Sequence, residues 1–300
     1  MFEKKIFSLS FEQKKRLFVF FQPKKTYFCL SKCDTYTACM NIIKIHDILD
    51  EALAPYFRLT EAQLMNRLHP EEGIFICESM KVIRVALDSG IVPVSVLCEP
   101  KFLETQVAEL GVDVPVYTAG SELLKQITGY ELSRGVLCAM RRPKLPAVAD
   151  VLLNAGRVAV LDTLASSENV GAIFRSAVAL GVDAVLLTRT CCDPLVRRAC
   201  RVSMGTVFQV PWTFVDSYRQ IKEEGFAIAA LALSDKSIPL DSAELKRCEK
   251  IALVLGSEGD GLADDVLQKS DYVVKIPMSH GVDSLNVAAA SAVAFWELRH

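Results

Sequence analysis

Three segments in the second half of the 300-residue chain gather the residues able to do chemistry: SSENVGAIFRSA (166–177), VLGSEGDGL (254–262) and IPMSHGVDSLN (276–286). The second follows the apolar run Ile251-Ala252-Leu253 and packs in three glycines. A strand running into a glycine-rich turn suggests a phosphate cradle, but such cradles read G-x-x-x-x-G-K-[ST], or G-x-G-x-x-G near the first strand. Here the order is G-x-x-G-x-G, with Glu258 and Asp260 and no lysine. Two carboxylates would oppose a triphosphate. Glycine does allow unusual dihedrals and close approach of backbone N–H and C=O groups, which suits a neutral or cationic small molecule. Taken alone, the stretch serves a structural turn equally well.

These segments need strands to end on and helices to start from. From RVAVLDTL (157–164), a nearly continuous apolar run, the pattern predicts strands at 182–188, 208–212, 226–233, 251–256 and 272–278. Helices are predicted over 168–181, around VRRACRVSMG (196–205), and over SLNVAAASAVAFWELR (284–299). Apolar runs of this kind mark strands buried on both faces of a parallel sheet, and the reading is an α/β, doubly wound parallel sheet. Ligands of such sheets sit beyond the carboxyl ends of the strands, where all three segments fall.

A second α/β unit is predicted before it. The helix LTEAQLMNR (59–67), the strand GIFICES (73–79), the helix over 79–90, the strand VPVSVLCE (92–99), the helix KFLETQVAELG (101–111), the strand VPVYTA (114–119), the helix SELLKQITG (121–129) and the strand GVLCAMRRP (135–143) alternate over residues 41–142. The proline- and cation-rich RRPKLPAVAD makes 143–150 a linker, and the second unit spans 151–300. Residues 1–40 mix aromatics and lysines without a sustained period, so they are expected to be a poorly ordered extension or an upstream start ahead of Met40.

Bulk properties narrow the classes. With 51% hydrophobic residues the chain can bury a sizeable core, and a formal net charge of −2 rules against a polycation that coats nucleic acid indiscriminately. Contact with nucleic acid would need a local patch. The ten cysteines form no C-x-x-C pair and read as reduced, mostly buried side chains; Cys29, Cys33 and Cys39 lack a ligand-spaced histidine, so no metal site is expected. LFVFF (17–21) is too short for a secretory or membrane segment, which predicts a cytoplasmic protein with no membrane association.

Taken together, the three segments resemble the ordered motifs of the SpoU (TrmH-like) branch of the SPOUT RNA methyltransferases. The first motif, N-x-G-x-I-x-R, matches Asn169, Gly171, Ile173 (or its neighbour Ala172) and Arg175; the second matches LVLGSEGDGL and the third IPMSHGVDSLNVAAA. VRRACRVSMGTVFQVPW (196–212) resembles the family's basic helix, Ser-x-Gly turn and strand. The likeness covers essentially all of 150–300. Residues 41–142 resemble, more loosely, the ribosomal-protein-like RNA-binding domain that many SpoU enzymes carry. The chain departs from the family where Ser166-Ser167-Glu168 replace a frequent Asn-Pro, and where Asp283 precedes Ser284.

The resemblance implies S-adenosylmethionine-dependent methyl transfer to a ribose 2′-hydroxyl of structured RNA, ribosomal rather than transfer RNA, by a homodimer with a trefoil-knotted α/β domain. It places the cofactor at Leu233, Leu255, Gly256, Ser257, Gly259, Ile276, Met278 and Leu285. It assigns Arg175 the electrostatic positioning of the ribose and phosphate or, less readily, the role of base. Ser284 and Asn286 would orient the hydroxyl and the arginine, Asn169 would fix the motif loop, and Glu258 would hold Arg175 or Asn286. Arg141, Arg142, Arg197, Arg198 and Arg201 would form the RNA-backbone patch, with Arg189 beside them. His280 is weighed as a substrate contact. Alternatives are a base methyltransferase and a non-catalytic RNA-binding or ribosome-assembly factor.

Overall fold

The computed structural model describes residues 40–128, 135–257 and 261–299, and these lie within one compact unit. The segment 1–39, Glu258, Gly259 and Asp260 are outside the described residues, as are the expectations made for them.

Two sheets organise the chain. The first has strands β1 (Ile42–Lys44), β2 (Ile74–Glu78), β3 (Pro93–Cys98), β4 (Val116–Thr118) and β5 (Val136–Arg141) in the order β1-β4-β3-β5-β2, with β5 antiparallel to both its neighbours. Around it lie α1 (Ala54–Phe57), α2 (Glu61–Met65), α3 (Met80–Asp88) and α4 (Ser121–Thr128). A capping box fixes the start of α2, where the Thr60 hydroxyl accepts from Gln63 N–H and the Gln63 side chain accepts from Thr60 N–H. Left-handed Asn66 ends the helix earlier than the expected 59–67.

The second sheet comprises β6 (Arg157–Leu161), β7 (Ala184–Thr188), β8 (Trp212–Val215), β9 (Ala227–Leu231), β10 (Ile238–Pro239), β11 (Ile251–Leu255) and β12 (Tyr272–Lys275). Every pairing in it is parallel, in the order β10-β12-β9-β11-β6-β7-β8. The helices are α5 (Val148–Leu152), α6 (Ser167–Ala179), α7 (Arg197–Val202), α8 (Tyr218–Glu223), α9 (Ala243–Lys246), α10 (Asp264–Lys269) and α11 (Val287–Glu297). β6 and β11 are buried along their whole length, as continuous apolar strands covered on both faces must be. The chain winds outward from β6 to β8, then crosses to build the other half, and the carboxyl ends of these parallel strands form the edge at which such folds bind ligands.

Four expectations are corrected. Residues 101–111 form no α-helix: short 3-10 and π turns follow one another from Pro100 to Leu110, and Val107 alone among them is buried, so little packing regularises the segment. FQVPW is not a strand, because left-handed Gly205 leads into a 3-10 turn over Thr206–Phe208; the strand starts only after Pro211, which has no N–H to donate. The linker 143–150 already contains the start of α5 at Val148. Asn286 is the N-cap of α11 rather than a position inside it, which leaves Ser284 in the preceding loop.

The two sheets share a core. One apolar cluster runs from Phe75, Cys77 and Val82 to Phe174, Cys200 and Val207. The rings of Phe75 and Phe208 lie 5.7 Å apart, and a Cβ on Gly205 would meet Val85 of α3 at 2.9 Å.

Candidate functional site

Three adjacent strands, β9, β11 and β12, end at Leu231, Leu255 and Lys275, and beyond those ends lies a cleft of about 320 Å³. The expected cofactor residues Leu233, Leu255, Gly256, Ser257, Ile276, Met278 and Leu285 all line it, as does Ser284; Gly259 is outside the described residues. Sequence reasoning missed Lys275, Leu262, Asp283 and Val287, which also line it, although their places just past β12 and inside the second and third motifs were available as signals.

The glycine loop is built by close backbone approach. Ser257 and Gly261 form an isolated antiparallel bridge, and a Cβ on Gly256 would fall 2.7 Å from the carbonyl of Gly261. Any other residue at 256 would push the loop out of this position. Leu233, Met278 and Leu285 offer apolar surface, and Leu233 and Leu285 are exposed. An adenosyl group with an aliphatic, cationic tail suits such apolar walls and accessible backbone, and this donor set fits it.

The first and third motifs meet beside the cleft. The Asn286 amide donates from Nδ2 to Asn169 Oδ1 at 3.2 Å, while Asn286 Oδ1 accepts from the backbone N–H groups of Ala288 and Ala289. The bond joins positions 117 residues apart. At the other end, Ser166 caps α6 by accepting from Asn169 N–H at 3.3 Å. Gly171 serves packing rather than a ligand: a Cβ there would meet Ala199 O of α7 at 2.7 Å. Arg175 is exposed on α6 and has no hydrogen bond or ion pair among the described residues. It follows Asn169 by six positions, roughly a third of a turn around the helix from it, so within one chain the two do not converge. Glu258, expected to hold Arg175 or Asn286, is outside the described residues.

A polar network behind the first motif has no counterpart in the sequence expectations. Asp162, directly after β6, accepts from Tyr218 Oη at 2.6 Å, Thr188 Oγ1 at 3.0 Å and Thr163 Oγ1 at 2.9 Å. Thr163 sits in the left-handed region at φ 56°, and its N–H donates to Thr188 Oγ1 at 3.1 Å. Burial and the neighbouring Asp162 push the Tyr218 phenol well above its ordinary pKa, so it stays a donor. The signal for this network was the pair Asp162-Thr163 at a strand's carboxyl end.

The arginines expected for the RNA patch have partners within the chain. Arg197 and Arg201 turn to Glu78 of β2, at 3.0 and 3.2 Å, and Arg142 pairs with Asp193 in a nearly enclosed site. Arg198 pairs with Glu168, and Arg141 donates to the carbonyl of Glu72. Acids supplied by neighbouring elements engage these cations, which the spacing of the arginines alone did not show. His280 is exposed in a left-handed turn and does not line the cleft. Among the described residues there is no metal-binding cluster and no helix long and apolar enough to cross a membrane.

Known proteins share both this sequence and this arrangement. The SpoU rRNA Methylase family profile matches residues 156–296. A Mycobacterium bovis protein described as an uncharacterized tRNA/rRNA methyltransferase is 36% identical over 272 residues, covering 89% of this chain and 94% of its own length. The 23S rRNA (guanosine(2553)-2′-O)-methyltransferase RlmP of Bacillus subtilis is 26% identical over 75% of this chain and 88% of its own. An AdoMet-bound rRNA methyltransferase of Sinorhizobium meliloti shares the fold at a TM-score of 0.73 and 21% identity, over 86% of this chain and 97% of the other. Motifs, full-length sequence similarity and fold agree, and the chain belongs to the SpoU (TrmH-like) family of S-adenosylmethionine-dependent RNA methyltransferases.

Proposed function

We propose that this protein methylates a ribose 2′-hydroxyl of structured RNA, ribosomal rather than transfer RNA, as a homodimer with a trefoil-knotted second domain. The observation that carries the reading is the Asn169–Asn286 pair beside a cleft that Ser284 and Leu285 also line. It brings the first and third motifs of the family together at one mouth. The ribose and ribosomal preferences are further supported by the likeness to the 2′-O-methyltransferase RlmP.

When bound, S-adenosylmethionine supplies a methyl group on a sulfonium centre. The chain's own residues do the rest by holding groups in line, because a methyl transfer gains most from fixed approach geometry. Leu233, Met278 and Leu285 wall the cleft and exclude water. The Ser284 hydroxyl, at its mouth, orients the ribose oxygen. Asn286 is locked by two backbone donors and by Asn169, so its amide does not need to reorganise during the reaction. Arg175 presents a planar guanidinium, whose part is to hold a phosphate and favour negative charge developing on the ribose oxygen.

The guanidinium of Arg175, unpaired among the described residues, and the exposed Val293 and Trp296 on α11 support a dimer in which Arg175 of one protomer serves the cleft of its partner. Calorimetric titration with S-adenosylmethionine should give one site per chain, and absence of binding would overturn the enzyme reading. Arg175→Ala should bind the cofactor within about twofold of the parent while transfer falls at least 100-fold; an active variant would remove Arg175 from its role. Mapping ribose methylation across the RNA of a deletion strain would identify the nucleotide, and a lost base methylation instead would correct the target.

A further inference from the structure

A second, larger cleft of about 1200 Å³ opens where the 61–71 segment faces the loop after β7. Three acids line it, of which Glu71 is exposed and lies 3.7 Å from His69 Nδ1, outside the cleft's cations. Glu61 accepts from Arg197 N–H at 3.1 Å, and Asp193 pairs with Arg142. Arg67 and Lys144, which also line it, are exposed and have no hydrogen bond or ion pair among the described residues. Arg189 completes the set: its guanidinium lies 5.5 Å from the ring centroid of Phe214, another lining residue, and Asp216 holds its Nε at 2.7 Å. The guanidinium, ion-paired and about two-thirds exposed, lies within cation–π reach of the ring and leaves a planar group open to solvent.

The cleft is coupled to the motif loop. Its floor, the β7–α7 loop, is bonded to the loop after β6 through Cys192 N–H to Leu164 O at 2.7 Å and Leu164 N–H to Cys191 Sγ at 3.3 Å. Because every strand of this sheet is parallel, residues that follow β7 open at the same edge as the cofactor cleft beyond β9, β11 and β12. A cationic groove with a stacking surface is how proteins hold unpaired nucleic acid, since only an unpaired base can lie flat on such a surface.

We propose that this cleft carries a single-stranded stretch of the substrate RNA beside the target nucleotide, with Arg67 and Lys144 on backbone phosphates and Arg189 over Phe214 receiving one base. The proposal rests on the RNA methyltransferase reading above.

The test uses the full chain and a fluorescein-labelled, unstructured oligoribonucleotide of roughly 12 nucleotides, with a hairpin duplex as comparison, read by anisotropy across a salt series. Combining Arg67→Ala, Lys144→Ala and Arg189→Ala should weaken single-strand binding at least tenfold and make the log–log salt dependence shallower by about 1.4, from two lost phosphate contacts. S-adenosylmethionine affinity and the melting temperature should stay at parent values, since all three side chains are exposed. Arg189→Lys should keep the salt dependence yet lose about tenfold in affinity, because it retains the charge without the plane. Unchanged binding in the triple variant, or a parent that binds the hairpin as tightly as the single strand, would overturn the proposal. Methylation by the triple variant at the parent KM would overturn the cleft and leave the activity standing, whereas a parent that neither binds nor methylates RNA would overturn both.

Discussion

Asn286 has two jobs that a single substitution can separate. Its Oδ1 caps α11, and its Nδ2 reaches Asn169. Asn286→Ala removes both and should cost about 1 kcal/mol of stability through the lost cap. Asn286→Asp keeps an acceptor for the cap but sets a carboxylate oxygen against Asn169 Oδ1, so denaturant unfolding should be near the parent's while methyl transfer collapses. Equal activity in the Asp variant would show that the pair plays no part in the reaction. The motif spacing marked Asn286 and Asn169 as candidates, and the apolar run after Asn286 marked a helix. Which residue caps that helix depends on where its first turn closes, and the choice between Ser284 and Asn286 was not written in the local sequence.

Among the elements, α6 shows how one motif divides its labour. Asn169 faces the third motif, Gly171 lets α7 approach, and Arg175 is left to solvent. Gly171→Ala would place a methyl group 2.7 Å from Ala199 O and 2.9 Å from Val202 Cβ, forcing α6 and α7 apart at a cost of about 1–3 kcal/mol, read as a lower denaturation midpoint. Gly256→Ala meets backbone instead, at the cleft; its effect should fall on cofactor affinity, weakened at least tenfold in calorimetry, with a stability change under about 1 kcal/mol. The strands of the second sheet were legible because burial on both faces demands unbroken apolar runs. The turn over Thr206–Phe208 was not legible because its apolar residues answer to distant partners rather than to a local period, whereas Pro100–Leu110 lacks the buried face that would regularise a helix. Phe208, for instance, packs on Phe75 of β2.

At the scale of the whole molecule, the arginines of α7 lie at the seam between the sheets, where Glu78 is almost fully buried with Arg197 and Arg201 against it. Glu78→Gln leaves two cations without their carboxylate and should destabilise the fold by about 3 kcal/mol. Because the apolar cluster crosses the same seam, calorimetry should show one unfolding transition with equal calorimetric and van't Hoff enthalpies, rather than one for each sheet. None of this was legible in the proline-rich 143–150 stretch, which reads as a linker; the contacts across the seam come from residues far away in the chain. The Gly205–Val85 contact carries this further. At 2.9 Å between a Cβ at Gly205 and Val85, the seam is fitted to within one methyl group, so the first-sheet half of a related chain could not be grafted onto this second-sheet half by joining the chains at the linker. Val85, Phe75 and Glu78 would have to travel together with Gly205, Phe208, Arg197 and Arg201, which makes the exchangeable piece of this protein an interface rather than a domain.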